Sequence, residues 1–223
     1  AKDAVLKVTG ALVCKTIVIP HGIHNRFKNP PRVQRHLNSY SLQQPFKILY
    51  VSTVDVHKHQ WHVAEAVAML RREGLPLALD LVGPAYPPAL KRLQTSMIKL
   101  DPDGDFIIYK GAVPHDQLNA HYAAADLCLF ASSCENMPNI LLEGMASGLP
   151  IACSNRGPMP EILSDGGLYF DPEKPEDIAT AIRKLMVSHE LRSEKSNAAL
   201  ALVKQYSWQR CADETFTFLS KII

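Results

Sequence analysis

The sequence has little that would carry it to a membrane, a nucleic acid or a metal. No apolar run approaches the ~20 residues that span a bilayer. Charge of neither sign is in excess. The 24 Lys and Arg face 22 Asp and Glu, a formal charge of +2. That balance removes the electrostatic case for a polyanion partner and leaves room for a local phosphate site. Aromatic residues are 7% of the chain, and Trp61 and Trp208 stand far apart. No base-stacking platform for nucleic acid is spelled out. The cysteines are Cys14, Cys128, Cys134, Cys153 and Cys211, an odd number with no C-x-x-C spacing. They read as reduced thiols of a cytoplasmic protein, not as a disulfide framework or zinc site. There is no repeat and no low-complexity tract. Neither G-x-G-x-x-G after a strand nor G-x-x-x-x-G-K-S/T occurs, so the usual dinucleotide and P-loop readings lose their main support. The chain starts at Ala1 with no signal-peptide pattern, and the expectation is a piece of something longer or a processed product.

What is present is an ordinary globular composition, 47% hydrophobic and 21% charged over 223 residues. That argues against disorder and allows one large domain or two small ones. Residues 15–19 form a short β-branched run stopped by Pro20, which reads as a strand end before the turn at His21–His24. Residues 28–45 hold Pro30, Pro31 and Pro45 with no sustained period. They read as a poorly ordered linker or exposed loop that tolerates shortening. From Phe46 the pattern becomes regular. Strands are expected at 46–52, 77–82, 105–109, 126–130 and 149–153. Helices are expected between them at 60–73, 87–100, 115–124 and 138–147. The run Asp126-Leu-Cys-Leu-Phe130 is apolar without alternation, as in a parallel sheet covered on both faces. Alternating β and α units predict an α/β doubly wound domain. Helices at about 175–187, 190–204 and 208–221 predict a C-terminal helical layer that closes it.

Ligands bind at the carboxyl ends of strands in such a sheet. The informative loops are therefore 52–60, 83–86, 110–114, 131–139 and 154–160. The strongest local pattern is Glu135-Asn-Met-Pro-Asn-Ile-Leu-Leu-Glu143. Pro138 suits a first helical position, which would leave the N–H groups of Asn139 and Ile140 among the unpaired donors of the first turn. Glu143 lies one turn on, and its side chain leans back toward the helix start. A carboxylate there repels phosphate but accepts two hydrogen bonds from a diol such as a ribose. Glu135 can do the same for a sugar hydroxyl. The bland alternative is a solvated surface residue. The apolar neighbours of Glu143 (Ile140, Leu141, Leu142 and Met145) leave that alternative little room.

Glu135 and Glu143, followed by Gly144-Met-Ala-Ser-Gly-Leu-Pro150, resemble the E-x7-E motif of retaining glycosyltransferases of family 4. The resemblance runs over roughly residues 46–220. It includes Gly111 in Tyr-Lys-Gly-Ala-Val, His121-Tyr-Ala-Ala-Ala-Asp-Leu, Gly157-Pro-Met-Pro-Glu161, Phe170-Asp-Pro172 and Tyr206-Ser-Trp208. It implies a Rossmann-like domain, the C-terminal, donor-binding half of a GT-B fold. Residues 1–27 would be a remnant of the preceding domain and the inter-domain segment, 28–45 a linker, and 46–223 the nucleotide-sugar-binding domain. The acceptor domain would be missing. Carried onto matching positions, the resemblance implies that Glu143 binds the ribose diol, Glu135 the donor sugar and Lys58 the diphosphate. Asn139 and Ile140 would offer backbone N–H groups to the sugar and phosphate end. Backbone at Lys110, Gly111 and Val113 would read the base, and Leu118 would pack on it. Thr53 stands where the family usually has Arg, and Arg156 is the candidate substitute. Met137 replaces the usual Phe.

A lone Lys in a turn is most often a solvated charge; the position of Lys58 after the first strand, with the resemblance, raises the diphosphate reading. His57, His59 and His62 invite a metal reading, but no matched Cys or acidic spacing supports it. The resemblance implies no cofactor and no bound metal, with a nucleoside diphosphate sugar as the donor substrate. It implies transfer to a hydroxyl of a saccharide or lipid-linked acceptor, in the cytoplasm or peripherally at the membrane. Two other readings stay open: a non-catalytic nucleotide-sugar-binding module, degenerate at Thr53, and a GT-B-shaped nucleotide-sugar epimerase.

Overall fold

A computed structural model describes residues 2–10 and 16–221. Cys14 and Lys15 lie outside the described residues. The strands are β1 Phe46–Val51, β2 Leu77–Val82, β3 Ile107–Gly111, β4 Leu127–Phe130, β5 Ile151–Ser154 and β6 Leu168–Phe170. They form one parallel sheet in the order β3-β2-β1-β4-β5-β6. The helices are α1 Lys2–Thr9, α2 Gln60–Arg72, α3 Pro87–Leu100, α4 Leu118–Ala124, α5 Asn139–Ala146, α6 Met159–Leu163, α7 Pro175–Val187, α8 His189–Val203 and α9 Trp208–Leu219. This is the expected α/β doubly wound, Rossmann-like architecture. All residues of β4 and β5 are buried, which is why both read as unbroken apolar runs. The strand order reverses at the β1–β4 pair, and a crevice opens outside the carboxyl ends there.

The C-terminal layer forms as expected, with α7 packed on α2 and α8 on α5. Three elements were not anticipated: α1 near the start of the chain, and the short β6 and α6. At three and five residues, neither of the last two is long enough to show a period. Strand β3 ends two residues later than expected. Residues 16–19, expected to end a strand, have no regular structure, and Ile17 and Val18 are exposed. β-Branched composition does not make a strand unless a neighbour pairs with it.

The expectation of a poorly ordered segment at 28–45 is corrected. Apart from a 3-10 turn at Leu37–Ser39 the segment is irregular, but it is tied down along its length. The Asn29 N–H donates to Ala146 O at 2.9 Å. Arg32 donates to the carbonyls of Ala123 and Ala125. Tyr40 is buried and donates to Asp126 Oδ1 at 3.1 Å. Arg192 of α8, fully buried, donates to Gln34 Oε1, Leu185 O, Met186 O and Arg35 O. Prolines and missing periodicity report the absence of regular structure, not the absence of anchors.

Two glycines allow close approaches that matter here. A Cβ on Gly22 would lie 2.0 Å from Trp208 N, so the segment before 28 can run against the start of α9 only with glycine. A Cβ on Gly83 would lie 2.2 Å from Ser52 O, where β1 and β2 leave the sheet for the crevice, and Gly83 also has φ +144.

Candidate functional site

A cleft of about 250 Å³ sits at those carboxyl ends. Thr53, Lys58, Gly83, Val113, Leu118 and Ile140 line it. A larger cleft, about 380 Å³, lies at the opposite end of the sheet among Arg32, Arg35, Lys47 and Asp126. Its guanidinium groups are already spent, those of Arg32 as above and that of Arg35 on Ser39 O at 2.6 Å and the Tyr40 ring. The smaller cleft is the one at the carboxyl ends, where ligands bind in such a sheet.

Lys58 ends the 3-10 turn Val56–Lys58 after β1, a turn opened by Asp55, whose carboxylate accepts from the Val56 N–H at 2.6 Å. Its ammonium pairs with Glu135 Oε1, and the two side chains are only 12% and 16% exposed. The Lys58 Nζ also lies 5.5 Å from the centroid of the Phe130 ring. Lys58 is thus not a freely solvated charge: the fold brings together a cation and the carboxylate expected to meet the donor sugar.

Glu143 is 4% exposed, so the solvated-surface alternative fails. Its Oε1 accepts from His115 Nε2 at 3.1 Å and its Oε2 from the Tyr122 hydroxyl at 3.1 Å. Burial pushes the carboxyl up from its ordinary value, and the His115 and Tyr122 hydrogen bonds pull it back. A carboxylate has about four lone-pair sites. Two are used, which leaves two for a diol.

The remaining expected residues divide. Val113, Leu118 and Ile140 share the cleft wall. Helix α5 starts at Asn139, one residue later than the Pro138 reading, with Pro138 as its N-cap. The Asn139 N–H is not an open donor, because it donates to Met137 O at 3.0 Å. This corrects its expected role. The Asn139 side chain meets His21 instead, Oδ1 to Nδ1 at 3.0 Å. The Ile140 N–H belongs to the first helical turn, where donors lack a partner one turn back. The Lys110 ammonium is held by Asp80 at 2.7 Å on β2. The Gly111 carbonyl accepts from the Gly83 N–H at 2.8 Å, which commits one acceptor of the backbone expected to read a base. Arg156, the candidate substitute for the missing Arg, pairs with Asp171 at 3.1 Å and does not line the cleft.

The three histidines go to different partners: His57 to Asp55, His59 to Ser133 Oγ and His62 to Pro172 O. Among the described residues no group of three or more His, Cys, Asp or Glu is placed to hold a metal ion. Among them, too, no helix is long and apolar enough to cross a membrane.

Sequence reasoning missed His115 and Tyr122, which hold Glu143, and Phe27, whose ring stands edge-on to both at 5.4 and 5.7 Å. Tyr122 was in view inside the stretch His121-Tyr-Ala-Ala, and His115 follows the end of β3, where ligand loops lie. Neither carried a signal that it would face a carboxylate on another helix. The arrangement can bind a ligand with an anionic centre near Lys58, an apolar face against Val113, Leu118 and Ile140, and a pair of hydroxyls near Glu143.

Residues 35–201 match the family described as glycosyl transferases, group 1. The O-antigen chain mannosyltransferase B of Escherichia coli is 27% identical over 208 residues, 93% of this chain and 52% of that protein. The GDP-mannose-dependent alpha-(1-6)-phosphatidylinositol monomannoside mannosyltransferase of Mycobacterium tuberculosis is 28% identical over 218 residues, 90% of this chain and 54% of that one. The crystal structure of Anabaena HepE in complex with UDP superposes with a TM-score of 0.82 at 20% identity, over 98% of this chain and 61% of that one. The chain thus spans about half the length of the curated mannosyltransferases it matches.

Proposed function

The chain belongs to the glycosyl transferases of group 1, and on that premise we propose that it is the donor-binding, C-terminal half of a retaining GT-B glycosyltransferase of family 4. The donor is a nucleoside diphosphate sugar. Its base lies against Val113 and Leu118, its ribose diol donates to Glu143, and its diphosphate meets Lys58 and the first turn of α5. Glu135 orients the sugar. The observation that carries this reading is that Lys58 and Ile140, in the first turn of α5, line one cleft, with Glu135 paired to Lys58 and Glu143 one turn further along α5.

Glu135, which pairs with Lys58 through one oxygen, orients the sugar and does not attack it in this reading. The resemblance to retaining glycosyltransferases implies departure and attack on one face of the sugar. The leaving diphosphate oxygen takes the acceptor proton as the new glycosidic bond forms. Lys58 stabilises the charge that develops on that oxygen, a role a preorganised cation fills without a metal. The acceptor belongs to the other half of a full-length enzyme.

The test is a thermal-shift and calorimetric screen of nucleosides, nucleoside diphosphates and nucleotide sugars against the chain. Stabilisation by diphosphates and their sugars, rising with concentration over Kd, with no transfer by the chain alone, is the expected result. Stabilisation by nucleosides and diphosphates alike would remove Lys58 from the site. Robust transfer by the chain itself would overturn the half-enzyme reading. The non-catalytic module keeps one specific support, the neutral Thr53 at the cleft wall, and a full-length protein that binds donor yet transfers nothing would favour it.

A further inference from the structure

We propose that His59 is a positioning residue that straps the turn bearing Lys58 to the loop bearing Glu135, through the hydroxyl of Ser133. The inference rests on the donor-site reading above, and its test separates the two.

His59 has φ 53 and ψ 31, a left-handed backbone. Among the described residues only it and Ser164 have a positive φ without being glycine. The conformation is uncommon for any residue with a Cβ. His59 closes the 3-10 turn Val56–Lys58 and opens α2, a junction of the kind that favours a left-handed residue, although its side chain makes no hydrogen bond to the start of α2. The strain has another correlate. With this backbone the ring is buried and its Nε2 lies 2.9 Å from Ser133 Oγ. Ser133 in turn reaches back to the turn before His59. Its Oγ donates to His57 O at 3.3 Å and its N–H to the same oxygen at 2.9 Å. Three hydrogen bonds therefore cross-brace two loops from the ends of β1 and β4. Lys58 is the next residue on one side of the brace, and Glu135 is two residues beyond it on the other.

The direction of the brace follows from burial. His59 Nδ1 is buried with no partner. An orphaned buried N–H is rarer than an orphaned acceptor. The proton therefore sits on Nε2 and is donated to Ser133 Oγ, whose own hydrogen is free to go to His57 O. Every donor in the relay is used, and only a lone pair on Nδ1 is left over.

The Lys58–Glu135 pair is then held at a set separation before any ligand arrives. A site held by packed and bonded supports loses less freedom on binding than a mobile one. The brace acts on the diphosphate and sugar end, because the base wall of Val113 and Leu118 belongs to other loops.

The experiment measures calorimetric affinity for whichever of UDP or GDP binds the parent chain more tightly, beside its nucleoside. Ser133→Ala removes the relay and keeps the Ser133 N–H bond. Ser133→Thr keeps the hydroxyl. His59→Gly keeps the backbone angle without the ring. Ser133→Ala is expected to weaken the diphosphate by about three- to tenfold, the worth of one hydrogen bond, with the nucleoside unchanged. Ser133→Thr should match the parent. The His59→Gly, Ser133→Ala double variant should lose no more than the worse single one, because both break one relay. The Ser133 pair decides the question alone, since it leaves the strained residue itself unsubstituted. Equal losses for nucleoside and diphosphate, or a parent-like Ser133→Ala, would overturn the strap and leave the donor site standing. A parent that binds no nucleotide would remove the donor reading and the strap with it.

Discussion

Replacing Glu143 by Gln should loosen the grip on ribose and relieve a burial cost at the same time. The carboxylate is buried and already accepts from His115 and Tyr122, which leaves about two lone-pair sites for a diol. A hydrogen bond to a charged group contributes roughly 1.5–3 kcal/mol and a neutral one roughly 0.5–1.5. Neutralising the acceptor of two ribose hydroxyls therefore costs about 2 kcal/mol, or roughly thirtyfold in Kd. Stability should move the other way. Burial raises the Glu143 carboxyl in the folded chain above its unfolded value. Between those two values the folded state binds the extra proton, so stability falls as pH rises through the window. The ionised group is a net cost above it. Glu143→Gln removes that slope, and at pH 7 the variant should melt no lower than the parent. The assay is calorimetry with a nucleoside diphosphate and its 2′-deoxy counterpart, beside melting curves from pH 4 to 8. Parent protein should prefer the ribose form, and the variant should lose most of that preference. Unchanged affinity for both ligands, or a clear drop in melting temperature at pH 7, would refute the reasoning.

Lys58→Ala should weaken a nucleoside diphosphate by about tenfold and leave the nucleoside unchanged, since one charge-assisted contact is lost; equal changes in both titrations would count against the phosphate assignment. Thr53→Arg places a guanidinium at the cleft wall and should tighten the same diphosphate by ~1 kcal/mol, read in the same titration. Arg192→Leu strips donors from Gln34, Leu185, Met186 and Arg35 at once. It should cost about 3 kcal/mol in urea unfolding through unsatisfied buried acceptors, and limited proteolysis should then open the 28–45 segment first.

Much of the fold was legible because its signals are local. The strands from Phe46 onward are short apolar runs, and α2 and α7 carry their apolar residues at helical spacing, so period and composition located them. The two glutamates, with seven residues between them, were legible for the same reason, since one helix and its entry loop carry both. Apart from α1, the elements that were missed are those without a period: β6 at three residues, α6 at five, and the anchored irregular path of 28–45.

What the chain alone determined, then, is the parallel α/β class, the position of the carboxyl-end loops and the identity of Lys58, Glu135, Ile140 and Glu143 as residues to watch. Tertiary structure decided what each of them touches. Glu135 meets Lys58 across 77 positions of sequence, and Glu143 meets His115 and Tyr122 across 28 and 21. The Asn139 amide, read as an open donor, is spent on Met137. His59 takes a left-handed backbone that its sequence neighbours give no reason to expect. Such contacts depend on how strands, helices and loops are packed against one another. No period or spacing within a single segment encodes that distance.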